Sequence, residues 1–211
     1  MALIKTALSL ERFESHRAGL LEPDEIVFLR YQWNAELSEC YFAPLRVLEV
    51  VLRNGFNQAI AANFRNPDWL TAIPPWLLVS GQESVRNAQQ YLRERSRPVT
   101  QARVVQEMSF GFWTSLLNGR YESLFHAVST RVFPGMPRAM RTRANASRRF
   151  ENIRLLRNRI FHFRRIWNRP DLPGDFARIL EAIDWVNPHA RRLLLSESGR
   201  KRLDEVLARK P

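Results

Sequence analysis

Cysteine, lysine and glycine are scarce in this chain, and each scarcity closes off a class of protein. Cys40 is the only cysteine among 211 residues, so an internal disulfide and a thiolate zinc cage are both impossible. With 8 glycines and 12 prolines, no low-complexity linker and no internal repeat is visible. No apolar run approaches the roughly 18 to 20 residues of a membrane-spanning helix, and residues 1–10 lack the basic start and small-residue cleavage site of a secretory signal. These absences point to a soluble, cytoplasmic protein with no membrane partner. At 45% hydrophobic and 26% charged residues, the chain is composed and sized to bury the core of one ordinary domain.

The scarcity of lysine has a counterpart. Of 33 basic residues, 30 are Arg, against 21 acidic ones, for a net charge of +12. The segment Arg138–Arg169 holds 11 Arg and one acid, Glu151, so this window alone carries +10. Arginine offers a rigid fork of donors matched to phosphate oxygens, and a cluster of this density is the electrostatic footprint of a nucleic-acid binder. Compositional bias accounts for Arg over Lys but not for the clustering.

Between its prolines and glycines the chain has helical rather than alternating apolar spacing. Helices are expected over Pro23–Cys40 and Pro44–Ile60, and from a Ser80/Glu83 capping box to about Arg95. Further helices are expected from Thr100 toward Met108, over Ser109–Leu117 with a left-handed cap at Asn118-Gly119, and over Tyr121–Phe133. The last three are Ser147–Trp167, Asp175–Val186 and Ser198–Ala208. The fold class is therefore all-α, a bundle of about eight to ten helices, divided into a domain over 1–188 and a charged helical tail over 189–211. Phe110, Phe112 and Trp113, close to Leu116 and Leu117, have the spacing of core residues rather than of a base-stacking surface.

In the basic helix, Ile153, Leu156, Ile160, Phe163 and Trp167 fall within an arc of about 80°, a core-facing stripe. His162 lies opposite, with Asn158 and Arg165 one turn away on its polar face and Leu155 and Ile166 within about 40°. A histidine framed by aliphatics and arginines fits a cleft or a subunit contact. On the Pro44–Ile60 helix, Glu49 and Arg53 have the order and spacing of an ion pair, with Asn54 and Asn57 near by.

The run LRNRIFHFRRIWNR, Leu156–Arg169, resembles the signature helix of the Abi-like (abortive infection) proteins, a branch of the HEPN superfamily of helical ribonuclease-type domains. YQWNAELSE and LEVVLRN, within Tyr31–Asn54, and MSFGFWTSLL, Met108–Leu117, are similar to that family and follow its order. The bare pattern of Arg, four to six residues, then His is weak by itself, since about 1.7 matches arise by chance in a chain so rich in Arg. Of the two present, Arg157 to His162 has Asn directly after the Arg and lies in the basic helix. Arg120 to His126 has neither property and reads as ordinary surface.

The resemblance implies an HEPN-like bundle that is a metal-independent endoribonuclease of phage-defence or toxin type, or alternatively a non-catalytic RNA-binding module or a partner-controlled scaffold. In the first case His162 moves protons to and from the ribose 2′-OH and the leaving oxygen, a role for which imidazole is suited. Arg157 then stabilises the charge developing on the phosphate and Asn158 orients phosphate or imidazole. No cofactor and no metal is implied. Arg148, Arg149, Arg154, Arg164 and Arg165, with Arg53 and Asn54, are the expected RNA contacts. On an ideal helix Arg157 and His162 are about 140° apart. A homodimer packed through the Arg157–His162 helix would supply a second imidazole, and an acidic antitoxin or regulator would cover the same basic surface. Some relatives carry a Tyr two residues after the motif His that a partner modifies; here that position is Arg164.

Overall fold

The computed structural model describes residues 2–194 and 198–211, and among them it has ten α-helices, three short 3-10 turns and no strand. In chain order the helices are α1 (Ala2–Leu8), α2 (Leu10–Glu14), α3 (Asp24–Phe64), α4 (Val79–Glu94) and α5 (Gln101–Glu107). They continue with α6 (Phe110–Ser115), α7 (Glu122–Val132), α8 (Arg143–Phe161), α9 (Leu172–Val186) and α10 (Ser198–Ala208). The all-α expectation holds.

α3 is the axis of the molecule. Its 41 residues span about 60 Å, and α6, α7, α9 and α10 all pack on it. Two helices broken at Pro44 are expected from the sequence; one continuous helix is found. An interior proline removes one hydrogen bond and costs about 3 kcal/mol. The apolar stripe nevertheless runs in register across the proline: Trp33, Leu37 and Tyr41 on one side, Leu45, Leu48, Leu52 and Phe56 on the other, all buried. Burying that many large side chains, at about 1.5–3 kcal/mol each, outweighs the missing bond.

Two polar anchors tie later elements to α3. The Tyr41 hydroxyl donates to the Leu172 carbonyl at 2.7 Å, holding the start of α9. The Trp33 indole N–H donates to the Val206 carbonyl at 2.7 Å, and Leu203 and Val206 are buried. The charged C-terminal segment is thus docked through α10. The core continues through Phe56, Phe133 and Phe150, whose rings meet in sequence at 6.0 and 5.5 Å. Gly135 lets this layer approach α9: a Cβ there would lie 2.0 Å from the Asp184 carbonyl oxygen.

Two local expectations fail. α4 starts from Leu78 with no side-chain cap, and the Leu78 N–H is taken by the Tyr121 hydroxyl at 2.9 Å, so a tertiary contact sets the start rather than Ser80 and Glu83. Asn118 is extended and opens a 3-10 turn, and no glycine adopts a positive φ. Ser109 and Thr100 do cap α6 and α5, accepting the Phe112 and Arg103 N–H groups. Phe110, Phe112 and Trp113 are buried.

Candidate nucleic-acid interface

α8 starts at Thr142, whose hydroxyl accepts the Asn145 N–H at 3.2 Å. It buries Ala146, Phe150, Ile153, Leu156 and Ile160. Continuation to Trp167 is expected from the spacing, but the helix stops at Phe161 with His162 as its C-cap. The cause lies on α3. The Asn34 side-chain oxygen accepts the N–H groups of Ile166 (2.7 Å) and Trp167 (3.1 Å). A continued helix would have given those two donors to the carbonyls of His162 and Phe163. Phe163 turns into the left-handed region at φ 54°. Its N–H donates to the Ile160 carbonyl at 3.0 Å and the Arg164 N–H to the Arg159 carbonyl at 2.8 Å, a complete Schellman terminus.

This end changes the face expected around His162. Arg165 and Ile166 no longer follow the helix: Ile166 is buried, while Arg165 is exposed and donates to the Ser15 carbonyl at 2.7 Å. Phe163 leaves the core stripe and is 67% exposed. Trp167 is half-buried, with the Arg30 guanidinium over its ring at 4.9 Å.

The arginines of the basic window fall into two groups. Arg143, Arg149, Arg154, Arg157 and Arg169 pair with Glu122, Glu181, Glu151, Glu49 and Asp175 respectively. Arg149 also lies over the Trp185 ring at 4.5 Å. Arg149 therefore ties α8 to α9, while the charge of Arg154 is met by a neighbour on its own helix. Arg138, Arg141, Arg148, Arg159, Arg164 and Arg165 have no carboxylate partner among the described residues. Several of these donate to neutral acceptors that leave their charge in place: Arg141 to the Met136 carbonyl (2.7 Å), Arg148 to the Asn145 side chain (3.0 Å), Arg165 to the Ser15 carbonyl (2.7 Å) and Arg159 to the Arg165 carbonyl (3.5 Å). Arg159, Arg164 and Arg165, all exposed, cluster at the C-terminal end of α8, where the helix dipole favours cations.

The expected catalytic trio is only partly assembled. The Arg157 guanidinium faces α3, 3.5 Å from the Glu49 carboxylate and 4.4 Å from the centre of the Phe161 ring, which packs on Phe42 at 5.5 Å. Its Nε is buried without a hydrogen-bond partner. Asn158 is half-buried, and its carbonyl accepts the His162 backbone N–H at 3.1 Å. The His162 ring is exposed and bonded to no described residue. No contact joins Arg157 to His162, in keeping with their angular separation. On α3, Glu49 reaches across to Arg157 and makes no pair with Arg53, contrary to the expected ion pair. Arg53 is half-buried with an unpartnered Nε, and Asn54 is exposed. Asn57 turns away to accept from Trp69 and Gln101 at 3.0 and 2.6 Å.

Sequence reasoning missed a neighbour of the segment after α8, where Arg165 donates to the Ser15 carbonyl. His16, after α2, is buried with its Nε2 unpartnered. Its Nδ1 is 3.1 Å from the Arg12 carbonyl and its ring meets Tyr31 edge-on at 5.1 Å. Burial, then the charges of Arg165, Arg12 and Arg30, push its pKa below the ordinary value, against the opposing Arg12 carbonyl. Nothing in the local spacing marks His16, because the arginines around it come from three separate segments.

A groove of about 1680 Å³ lies between α3, α9 and α10, floored by Cys40, Val47, Phe176 and Leu180. Four of its basic side chains, Arg191, Arg200, Lys201 and Arg202, face Asp184, Asp204, Glu205 and Glu39. It is therefore a weaker anion site than the end of α8. Among the described residues no three His, Cys, Asp or Glu side chains converge as metal ligands, and no helix is long and apolar enough to cross a membrane.

No family model matches this chain, and no curated protein or solved structure matches it.

Proposed function

We propose that this protein binds RNA through the C-terminal turn of α8 and cleaves it without a metal ion. The observation that carries the reading is the exposed His162 imidazole set beside Arg159, Arg164 and Arg165, three cations with no carboxylate to neutralise them. In this chemistry the ribose 2′-oxygen attacks the adjacent phosphorus while a base takes its proton. The P–O5′ bond breaks, the leaving oxygen takes a proton, and a 2′,3′-cyclic phosphate and a 5′-hydroxyl remain. His162 serves as one proton-transfer group, and a second copy of the chain supplies the other. The setting is phage defence or a toxin system, with an acidic regulator masking the same arginines.

One observation favours a second reading, an RNA-binding module without catalysis: Arg157 is engaged by Glu49 and Phe161 and does not face His162. Incubating single-stranded RNA with the purified protein in EDTA separates the two. The first reading predicts cutting by the wild type, none by His162→Ala, and cyclic-phosphate ends. Salt-sensitive binding without cutting, unchanged by His162→Ala, supports the second. Cleavage that needs magnesium and leaves a 5′-phosphate contradicts the mechanism.

A further inference from the structure

Phe163 occupies a position that its own fold does not reward. It is the left-handed residue of the Schellman terminus, at φ 54°, where the absence of a Cβ makes glycine the usual occupant. Ser9, Arg65, Ile73 and Ser96 also have positive φ, but Ile73 is half-buried and packs against the core, and the other three are exposed polar side chains that water solvates. Phe163 has no such return. Its ring is 67% exposed, stacks on no ring of a described residue, and does not join the packed core. A strained backbone displaying an unpacked aromatic is the kind of feature that persists at a binding site rather than in a scaffold.

The surroundings define the ligand. Phe163 lies between His162 and Arg164, with Arg159 bonded to Arg164 through the backbone and Arg165 next in the chain. An apolar protein partner would have to bury these guanidinium groups without a carboxylate to match them, at high cost. Single-stranded RNA fits both parts: its phosphates meet the arginines, and an unstacked base has a flat apolar face for the ring. A duplex hides its bases in the stack and offers the phosphates alone.

We infer that Phe163 is a stacking platform for an unpaired base of single-stranded RNA, held out by the left-handed turn between the arginines that take the backbone. This rests on the RNA reading given above and adds to it a preference for single strands.

The test compares wild type, Phe163→Gly and Phe163→Trp by fluorescence anisotropy. Two labelled probes of equal length are used, an oligouridylate and an abasic ribose-phosphate oligomer. Wild type and Phe163→Trp are expected to prefer the oligouridylate. Phe163→Gly is expected to lose roughly tenfold in affinity for it and nothing for the abasic chain. Because glycine suits the left-handed position, Phe163→Gly should also raise Tm by about 2–4 °C. Stability and affinity would then move in opposite directions, which a purely structural side chain does not produce. The inference is overturned, with the RNA site left standing, if wild type binds the oligouridylate and Phe163→Gly binds it equally well. The same holds if Phe163→Gly weakens both probes alike. If wild type binds neither probe, the RNA reading falls, and the stacking role of Phe163 falls with it.

Discussion

Arg159 and Arg164 are joined by a single backbone hydrogen bond, the Arg164 N–H donating to the Arg159 carbonyl at 2.8 Å, at the two positions of a Schellman terminus where apolar side chains usually meet. The turn therefore brings two like charges together instead of a hydrophobic pair, with no carboxylate between them. Because both side chains are exposed, replacing them should leave stability within about 0.5 kcal/mol. Arg159→Gln with Arg164→Gln should instead reduce the slope of log affinity against log salt by about 0.7 for each phosphate no longer neutralised. Titrations of single-stranded RNA at several salt concentrations measure this, and an unchanged slope removes these arginines from the interface.

Arg157 carries the opposite expectation. Its guanidinium bridges α8 and α3 through Glu49 and covers the Phe161 ring. Arg157→Ala should cost about 1–2 kcal/mol, because it removes both the ion pair and the packing of its stem, while RNA affinity changes less than about twofold. Urea unfolding beside a binding isotherm checks both. A variant of undiminished stability would show that the bridge to α3 is idle.

His16 predicts a pH dependence. Its folded pKa lies below the ordinary value, first through burial and then through Arg165, Arg12 and Arg30. The unfolded chain takes up this proton near pH 6.5, about the free imidazole value, whereas the folded chain resists it. The contribution to stability is thus complete above about pH 6.5 and is lost as pH falls through the folded pKa. Glu22, pulled down to about 2 by Arg30 and the Ala18 N–H, acts in a separate, more acidic window. Urea midpoints between pH 8 and 5 should fall for wild type and stay flat for His16→Phe, which keeps an aromatic edge for Tyr31. Parallel curves would exclude His16 as the source.

Trp33 tests how the C-terminal helix is held. Trp33→Phe keeps an aromatic ring but removes the N–H that reaches the Val206 carbonyl. The cost should be about 1 kcal/mol, and amide exchange in α10 should accelerate more than in α9. Uniform acceleration would mean that α10 does not depend on this bond.

Local chemistry in the sequence was enough for the helical class, for helices opening after Thr100 and Ser109, and for the burial of Phe110, Phe112 and Trp113. What it could not supply was decided by partners distant in the chain. Pro44 reads as a break because its missing donor is local, while the stripe that carries α3 through it is satisfied by α6, α7, α9 and α10. α8 ends early because Asn34, more than a hundred positions back, takes two of the donors that continuation needs. The dense arginine window is visible as charge. Which arginines are free is not, since Glu49, Glu122 and Glu181 reach theirs from other helices. Phe163 fits the core stripe on an ideal helix and is displayed to solvent only because that helix stops two residues before it.

The most direct test of the account is where bound RNA touches the protein. Ultraviolet cross-linking of single-stranded RNA to the purified protein, followed by mass spectrometry of the peptides, should place the adducts between Arg159 and Arg165, with Phe163 or His162 modified. Adducts confined to the α10 face around Arg191–Arg202, or none at the end of α8, would contradict it.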